Sequence, residues 1–519
     1  KPSVSGATAV KKEFLKPEEM ITLENDILKI ELSNRGAAVV KAILKKYPKN
    51  VGELSDENTP VEFDFSSSPL GRFGDNDGLS DIEFSVGGVS SNSVEFSSPV
   101  VTRTITLRDN YQVQINDKFA AEKHGPYSMS IGVMRMGDSK SDLISVDSWD
   151  IANDEVVHHC EGDSPLKSYL VGGFSGGCSG SKSAKGMPKF TSVAYSGSQR
   201  YVALKNRFFV TALCSSTSAN SGFATRVERD MHYSDYRPKS ISANVRFEEP
   251  SSEVETLLYV GPKKQSILWD LGMKDVMEFG MWRWICYPLV SIINFFYDYI
   301  PSFGVAIILL TILVRLVFWP LTHKSTVGMK KMQDLQPKLK AIQAEFKDNP
   351  QRLQQETWAL YRDNKVNPLS SCLPMLIQIP VFIALFNVLR SAVELRYAPF
   401  LWIADLSEPE ALFASWFPFG GLNILPVLMA LTTGLQSAFT PSTGDKNQQR
   451  MMTVFMPVMM LVMFYSFPSA LSLYWFLSNL FSIVQMWLIR RQSAASTASS
   501  LEIPEVIDPP QTRQMRRHG

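Results

Sequence analysis

The sequence predicts a multidomain membrane protein, with an external antiparallel β-sandwich (super-sandwich-like) followed by an α-helical five-span membrane core that carries a cytoplasmic helical hairpin. The first half of the 519-residue chain is polar, rich in Ser and Gly, and built from short alternating runs, which indicates strands. Most of the chain from Trp282 to Arg491 is strongly apolar, with stretches long enough to cross roughly 30 Å of hydrocarbon as helix. Whole-chain averages, 45% apolar residues and a formal charge of +1, hide this division.

Residues 20–265 are predicted to form the β-sandwich. The run ILKIEL alternates and is followed by a turn at Asn34-Arg35-Gly36. Comparable runs are VEFDF, DIEFSV, VTRTITL, YQVQIND, SMSIGVM, YVALKNRFFVTAL, SANVRF and VETLLYV. So many strands with so few helical stretches indicate a large antiparallel sandwich. Within it we interpret Tyr201–Leu213 as a core strand, and we expect Ser66–Ser93 and Gly172–Gly186 to be mobile.

The external half shows no metal-binding motif. His158-His159 is an isolated pair with Asp154, Glu155 and Cys160 nearby, and a plain surface turn is favoured over a metal site. We therefore predict no metal and no cofactor.

The five cysteines are also uninformative in their spacing. Cys160, Cys178 and Cys214 fall in the external half, where an odd number leaves any disulfide open. Cys286 and Cys372 are interpreted as packing residues at or in the membrane.

Residues 266–300 are predicted to form an interfacial amphipathic helix. The segment mixes many aromatic residues with a few charges, which is typical of a helix that lies in the membrane interface. A sixth span is the alternative, and Pro288 with the polar Asn294 and Asp298 disfavours it.

Residues 301–491 are predicted to form the membrane core. Its spans cover residues 303–321, 372–392, 421–440, 451–467 and 469–489. The segment from His323 to Lys365 carries nine Lys or Arg against five acids and is predicted to be cytoplasmic, whereas Glu394–Gly420 carries one Arg and four acids and is predicted to be external. Alternation then places everything before residue 300 outside and the tail 492–519 inside. Residues 1–19 are interpreted as a linker after an N-terminal signal-anchor that this chain does not include.

Arg315 is the most informative residue of the first span. A charge at this depth costs on the order of 2.5–3.5 kcal/mol, so it normally faces an acid or a watery cavity. The predicted spans contain no Asp, Glu or His, so no intramembrane counter-ion is available. Thr311, four residues earlier, projects from the same helix face. Because Arg315 lies roughly 9 Å from the cytoplasmic end of the span, we predict a cavity that opens inward and attracts acidic or polar peptide segments.

Polar stripes in other spans complete this predicted groove. In the last span Tyr474, Ser478, Ser482 and Gln485 are spaced by four, four and three residues, and Thr432 with Gln436 forms a shorter stripe. The alternative is that hydroxyl and amide side chains bind helices together, each hydrogen bond contributing roughly 0.6 to 2 kcal/mol. We favour that alternative for the isolated Gln378 and Asn387.

Residues 323–368 are predicted to form the helical hairpin. Apolar residues recur at helical spacing at Met329, Met332, Leu335, Leu339, Ile342 and Phe346. Asp348-Asn349-Pro350 breaks the pattern, which Leu353, Thr357 and Leu360 resume. A solvated connection and a partner-binding platform fit this pattern equally, and about forty residues is more than a connection requires.

The motifs VRLVFWPLT, MKKMQDLQPKLKAIQ, LYRDNKVNPLSSCLPMLIQIPVFIALF, VELRYAPFLWIADLS and FPSALSLYWFLSNL closely resemble the YidC/Oxa1/Alb3 family of bacterial membrane protein insertases. The resemblance covers roughly Trp282 to Arg491. The external half is more loosely similar to the large periplasmic domain of Gram-negative members, beginning at ITLENDILKIELSNRGAAV.

The resemblance implies an insertase and chaperone of the inner membrane that catalyses no covalent reaction and acts alone or beside the Sec translocon. It implies that Arg315 is the groove arginine, with Thr311 beside it and Tyr474-Trp475 as the aromatic pair of the last span. It also implies nascent membrane proteins as substrates, hairpin contacts with targeting partners, and contacts of the periplasmic domain with Sec components. Residues 492–519 carry few basic groups, which argues against tail-mediated ribosome docking.

The residues leave two other functions open. In an anion or small-solute transporter Arg315 would select a solute, but the spans lack acidic or histidine proton carriers and show no internal repeat. In a sensor, the sandwich would bind an external ligand and the hairpin would signal inward. We expect the lipid bilayer, and no specific nucleic acid, as a further partner.

Overall fold

The computed structural model describes residues 17–51, 58–74, 79–80, 82–120, 125–135, 144–160, 189–229, 238–248, 252–366, 373–412, 421–439 and 450–499. The chain divides into two compact units. The first comprises residues 1–306, 380–410 and 468–471, and the second comprises residues 307–379, 411–467 and 472–519.

The first unit contains a large all-antiparallel β-domain. Its strands are β1 Met20–Glu24, β2 Leu28–Ser33, β3 Ala38–Pro48, β4 Pro60–Asp64, β5 Ser85–Val89, β6 Ser93–Ser97, β7 Val101–Leu107, β8 Gln112–Phe119, β9 Tyr127–Arg135, β10 Ser145–Asp150, β11 Glu155–Cys160, β12 Phe190–Ser196, β13 Gln199–Lys205, β14 Phe209–Ser216, β15 Asn220–Arg229, β16 Pro238–Phe247 and β17 Glu253–Pro262. The turn expected at Asn34-Arg35-Gly36 is confirmed between β2 and β3, where Gly36 has a φ of +82°.

These strands form a nine-stranded sheet that is packed against two four-stranded sheets. The large sheet has the order β11-β10-β13-β14-β17-β8-β7-β6-β5, and the smaller sheets have the orders β1-β2-β3-β4 and β12-β15-β16-β9. Tyr47 of β3 meets Phe209 of β14 edge-on at 5.8 Å, and Tyr127 of β9 meets Phe119 of β8 at 5.6 Å. Both small sheets therefore bury aromatic side chains against the large one, which confirms the predicted antiparallel β-domain.

The prediction that Tyr201–Leu213 is one core strand is wrong. The segment forms two antiparallel strands, β13 and β14, joined by a tight turn. The side chain of Asn206 accepts hydrogen bonds from the backbone N–H groups of Phe208 and Phe209 at 3.0 and 2.8 Å, which fixes the reversal. The apolar residues on both sides of the turn are buried, so the run is a core hairpin.

A buried ion pair lies between the large sheet and its first neighbour. Arg103 and Asp117 are fully buried, and two guanidinium nitrogens donate to the carboxylate at 2.6 and 2.9 Å. The remaining nitrogen donates to the backbone carbonyls of Ala37 and Gly71 at 3.1 and 2.6 Å. The guanidinium thus ties β7 and β8 to the first small sheet, and its full set of partners offsets the cost of burying a charge.

The segment predicted as one interfacial helix over 266–300 is divided in the structure. It contains helix α1 Gln265–Asp270, the 3₁₀ turns Lys274–Met277 and Gly280–Trp282, and helix α2 Arg283–Tyr299. Gly272 and Glu278 have φ values of +69° and +57°, and a left-handed residue ends a helix. The aromatic composition gave no sign of these two breaks.

The divided segment is fastened to the β-domain by a buried lysine. Lys205 of β13 pairs with Asp147 of β10 and with Glu278 at 3.0 Å, and it donates to the carbonyl of Val276 at 3.1 Å. Burial alone would lower the pKa of Lys205, but the two carboxylates hold it above its usual value. The lysine is therefore a charged tie between the sheet and the residues that lead into α2.

The remaining helices carry the predicted membrane core. They are α3 Phe303–Asp334, α4 Gln336–Glu345, α5 Pro350–Asp363, α6 Leu373–Ser391, α7 Ile424–Phe439, α8 Met456–Phe464, which follows a π-helical turn at Met451–Phe455, and α9 Ser469–Ser499. Each predicted span falls on one of these helices. By length and composition, α3 and residues 469–489 of α9 are long and apolar enough to cross a membrane, while apolar helices at 378–391, 424–439 and 453–464 are shorter.

The first arm of the predicted hairpin is not a separate helix. Helix α3 continues without interruption from the apolar run through Met329 and Met332 to Asp334, and α4 begins only after Leu335. Helix α5 starts at the expected break, where the side chain of Asn349 accepts from the N–H of Arg352 at 3.1 Å and Pro350 occupies the first turn.

Several sequence-based predictions fall outside the described residues. These are the segment Gly172–Gly186, Cys178, Cys372, the side chains of His158, His159 and Cys160, residues 1–16, and the tail from residue 500 onward. Among the described residues, Cys214 is a buried free thiol and no cluster of metal-ligating side chains is present.

Breaking the buried ion pair tests its role in the β-domain. We expect Asp117→Ala to lower the free energy of unfolding by about 3–5 kcal/mol, because the guanidinium of Arg103 stays buried without its carboxylate. The control is Asp64→Ala, which removes the surface pair between Asp64 and Arg135, whose side chains are 49% and 50% exposed. That loss should stay below about 1 kcal/mol. Denaturant unfolding followed by tryptophan fluorescence measures both changes, and equal losses would contradict the assignment.

Candidate substrate groove in the helical unit

Arg315 lies in the middle of α3, and its environment is unusual for a charge. The residue is partly buried, and its Nε is buried without a hydrogen-bond partner. Among the described residues, no acidic side chain pairs with the guanidinium. Thr311, one turn earlier, is fully buried and donates its hydroxyl to the carbonyl of Ile307 in the same helix at 2.7 Å. The hydroxyl of Thr311 is therefore hydrogen-bonded within its own helix, whereas the Nε–H of Arg315 is donated to no described residue.

Tyr474 of α9 is the polar neighbour of Arg315. Its side chain is 1% exposed, and it is close enough to Arg315 for an electrostatic interaction. Its hydroxyl accepts a hydrogen bond from Nε2 of Gln378 on α6 at 3.3 Å. Gln378 was interpreted as an isolated residue that binds helices together. This bond joins α6 to α9, which agrees with that interpretation, and it also places Gln378 beside the phenol that neighbours Arg315.

Other residues of the last-span stripe are already engaged. Gln485 is 5% exposed, and its Nε2 donates to the hydroxyl of Thr322 on α3 at 3.0 Å. The hydroxyl of Ser482 donates to the carbonyl of Ser478 in its own helix at 3.0 Å, while the buried hydroxyl of Ser478 lies beside the phenol of Tyr474. Gln485 thus binds two helices together, and Ser478 adds a buried hydroxyl one turn from Tyr474.

The two remaining predicted groove residues lie on α9 and α7. The ring of Trp475 packs against Phe464 of α8 at 5.4 Å between centroids. Gln436 is half-buried on α7. The structure therefore joins Arg315, Tyr474 and Gln378 in one cluster, and it places Trp475 in a contact with the preceding helix.

Sequence reasoning missed Asn479, which makes three side-chain hydrogen bonds to another helix. It is 4% exposed, and its Nδ2 lies 2.8 Å from the hydroxyl of Thr433 and 3.3 Å from both the hydroxyl of Thr432 and the carbonyl of Met429. These contacts bind α9 to α7. A search for one stripe at spacings of three and four passes over Asn479, because it lies one residue after Ser478 and projects from a different face.

Part of the predicted partner-binding hairpin is the hairpin's own core. Met332 and Leu335 are 8% exposed and pack with Val366 and Tyr361, and Met329 is 9% exposed. Leu339 and Phe346 of the predicted platform are half-buried. An open depression of about 960 Å³ lies along α5, lined by Gln351, Gln354, Gln355, Trp358, Ala359, Tyr361, Arg362 and Val366. Trp358 on this surface is 57% exposed.

Comparison with known protein families shows to which family the chain belongs. A family model described as 60Kd inner membrane protein matches residues 295–496, and one described as YidC periplasmic domain matches residues 20–292. The chain belongs to the YidC family. This confirms the resemblance drawn from the motifs, and it confirms that a periplasmic-type β-domain precedes the helical half.

Relatives and a solved structure of the family show how far the similarity extends. The membrane protein insertase YidC of Pelodictyon phaeoclathratiforme is 30% identical over 519 residues, which cover 94% of this chain and 85% of the relative. That of Syntrophobacter fumaroxidans is 39% identical over 301 residues, which cover 56% of this chain and 54% of the relative, so here the chain spans about half of the relative's length. A crystal structure of an active YidC insertase with its first transmembrane domain resolved covers 92% of this chain and 93% of its own, at 19% identity and a TM-score of 0.36.

Replacing Asn479 tests whether the polar residues of α9 bind helices together. We expect Asn479→Leu to lower the free energy of unfolding by about 1–2 kcal/mol, because the hydrogen bonds to α7 are lost in a place with no competing water. Asn387→Leu on α6 is the matched control, since the Asn387 side chain makes no hydrogen bond to a described residue. Unfolding in mixed micelles compares the two variants. A loss in the control as large as that of Asn479→Leu would show that the contacts to α7 contribute nothing specific.

Proposed function

We propose that the chain is a membrane protein insertase and chaperone that receives polar or acidic segments of nascent membrane proteins in an inward-open hydrophilic groove. The hydrophobic part of the substrate then moves sideways into the bilayer. The observation that carries this proposal is the guanidinium of Arg315, whose Nε is buried without a partner beside the phenol of Tyr474. The family membership supports the same activity.

The arginine is suited to trap a carboxylate transiently. At 4 Å the attraction between two unit charges is about 1 kcal/mol in bulk water and about 4 kcal/mol at the effective dielectric typical of a protein surface. A substrate acid therefore gains more at Arg315 than in water, and part of its dehydration cost is offset. No protein carboxylate competes for the site among the described residues of α3, α6, α7, α8 and α9, because these helices carry no Asp or Glu within their apolar stretches. An acid in the chain would hold the arginine in a permanent salt bridge and block the substrate.

In this proposal, hydrogen bonds between helices hold the walls of the groove together. The polar groups at its centre can exchange their hydrogen bonds for bonds to the substrate. The bond between Gln485 and Thr322 holds α9 to α3, and the bonds of Asn479 hold α9 to α7. The polar groups near the centre, Gln378, Tyr474 and the hydroxyl of Ser478, supply replaceable hydrogen bonds to a passing backbone. Release would follow from the hydrophobic effect, because an apolar substrate segment gains about 25 cal/mol per Å² when it leaves water for lipid.

The proposal includes an arrangement in the bacterial inner membrane. It has five spans on α3, α6, α7, α8 and α9, residues 20–265 in the periplasm, and the hairpin of α4 and α5 and the C-terminus in the cytoplasm. The positive charge of residues 323–365 supports the cytoplasmic hairpin. The depression along α5 is then the surface for substrate or targeting factors, the β-domain is the surface for Sec components, and ribosome contacts through residues 492–519 are disfavoured by the few basic groups there.

The trap is tested with two substrates that differ only in their translocated tail, one acidic and one with the matching amides. We expect Arg315→Ala to lower the rate of insertion of the acidic substrate into proteoliposomes by roughly tenfold, which corresponds to about 1.4 kcal/mol. The amide substrate should change much less, since it forms no ion pair. Arg315→Lys is the matched control, because it keeps the charge and should retain most of the rate.

Folding of each variant is checked by its unfolding profile before the rates are compared. If Arg315→Ala and Arg315→Glu, both folded, inserted the acidic substrate at the parental rate, the trap would be wrong. A further arm pairs Arg315→Glu with a substrate carrying a basic tail, whose insertion should improve relative to the parental chain.

A further inference from the structure

A tight turn at Phe400–Ile403 presents two apolar side chains outward. The backbone N–H groups of Phe400 and Ile403 each donate to the other residue's carbonyl at 2.9 Å, so only Leu401 and Trp402 lie in the loop. Leu401 is 76% exposed and Trp402 is 44% exposed. Leu401 is the most exposed large apolar side chain among the described residues.

Leu401 is an unfavourable residue for its position by two separate criteria. Its φ of +53° lies in the left-handed region, where the Cβ of most residues is strained against the backbone. Two-residue turns therefore prefer Gly, which has no Cβ, or Asn, which tolerates this conformation. Its exposure to water is also unfavourable for a large aliphatic side chain. Turn chemistry therefore does not explain the leucine, and both the strain and the exposure become understandable if the side chain lies in an apolar medium.

The turn lies at the N-terminal end of the first long apolar helix. The ring of Phe400 packs directly over Gly304, the second residue of α3, and a Cβ at Gly304 would overlap that ring. Around the same helix end, the ring of Tyr297 stacks on Phe303 at 3.9 Å, and Tyr299 is 75% exposed. Aromatic residues at the end of an apolar helix are typical of the boundary between lipid and water.

The loop is also tied to the start of the last apolar helix. The N–H of Ser469, the first residue of α9, donates to the carbonyl of Glu408 at 2.9 Å, and the N–H of Ala470 donates to the carbonyl of Leu406 at 3.0 Å. The loop that carries the turn is therefore fixed to the ends of α3 and α9, the two helices of the described chain that are long and apolar enough to cross a membrane. These contacts fix the position of the turn relative to the N-terminal ends of both helices.

Trp402 has the polar arrangement of an interfacial tryptophan. Its Nε1 donates to the carboxylate of Glu410 at 3.2 Å, while almost half of its surface remains exposed. The polar edge of the ring is thus satisfied on the protein side, and the apolar body is left to face outward.

We propose that Leu401 and Trp402 form a lipid anchor that inserts into the bilayer interface beside the N-terminal ends of α3 and α9. The partner is the boundary between lipid headgroups and acyl chains. The anchor holds both helix ends at a fixed depth, and it does so whether or not the groove around Arg315 binds a carboxylate. It therefore goes beyond the proposed insertase function and can fail independently of it.

The test uses the full chain reconstituted in phosphatidylcholine vesicles, with and without bromine on the upper part of the acyl chains. The emission of Trp402 is obtained as the difference between the parental chain and Trp402→Phe. The control is the corresponding difference for Trp358→Phe on α5, since Trp358 is similarly exposed, at 57%, on the charged hairpin. We expect brominated lipid to remove most of the Trp402 emission and little of the Trp358 emission, and aqueous iodide to have the reverse preference.

The variant Leu401→Gly distinguishes a lipid-binding role of Leu401 from a role in shaping the turn. Glycine relieves the left-handed backbone, so a purely structural turn would be kept or improved. The anchor account instead expects weaker quenching of Trp402 by brominated lipid and stronger quenching by iodide.

Three results would overturn the proposal. The first is equal quenching of Trp402 and Trp358 by brominated lipid. The second is unchanged lipid quenching of Trp402 in Leu401→Gly. The third is protection of Trp402 from iodide without quenching by lipid, which would mean that a second copy of the chain covers the turn.

Discussion

Polar groups within an apolar helical unit have to be satisfied without bulk water, and this constraint governs the arrangement of α3, α6, α7 and α9. An unpaired polar group in hydrocarbon costs several kcal/mol, so most side-chain amides and hydroxyls there find partners on neighbouring helices or on their own backbone. Asn479 bonds to Thr433, Gln485 bonds to Thr322, and Thr311 bonds to its own helix. Against this background the buried Nε of Arg315 stands out as donor capacity that the described chain leaves unused.

The same constraint links structure to the proposed activity. A groove that is to accept a polar segment has to offer hydrogen-bonding groups that are not already saturated, yet the helices around it have to stay together. In the proposed insertase, different residues carry out these two tasks. Asn479 and Gln485 bind helices at two places along α9, while Tyr474 and Ser478 lie nearer its N-terminal end, with Gln378 and Arg315 beside Tyr474. Outside the helical unit, Arg103 and Lys205 show the opposite case, since each is buried with a full set of acidic and carbonyl partners.

Much of this organisation could be predicted from local sequence patterns. Alternation with a period of two identified most strands, and each apolar stretch predicted as a span falls on a helix of the described chain. The errors arose where one residue overrides a pattern. Asn206 reverses the apolar run Tyr201–Leu213, and the left-handed Gly272 and Glu278 divide the interfacial segment. Periodicity does not register single turn residues, and the continuous helix α3 shows that a change from apolar to charged composition need not end a helix.

Contacts between helices were less predictable, because they depend on pairs that are far apart in sequence. Arg315 could be singled out from its charge alone, whereas its cluster with Gln378 and the bond between Gln485 and Thr322 required the fold. The most direct test of the central claim is photocrosslinking from a benzoylphenylalanine at Tyr474 to a stalled nascent chain with an acidic translocated segment. Trp487, 51% exposed on the same helix, is the control position. The account predicts crosslinks from position 474 to the acidic segment and few from 487, and it is contradicted if only position 487 reaches the substrate or if the two crosslink equally.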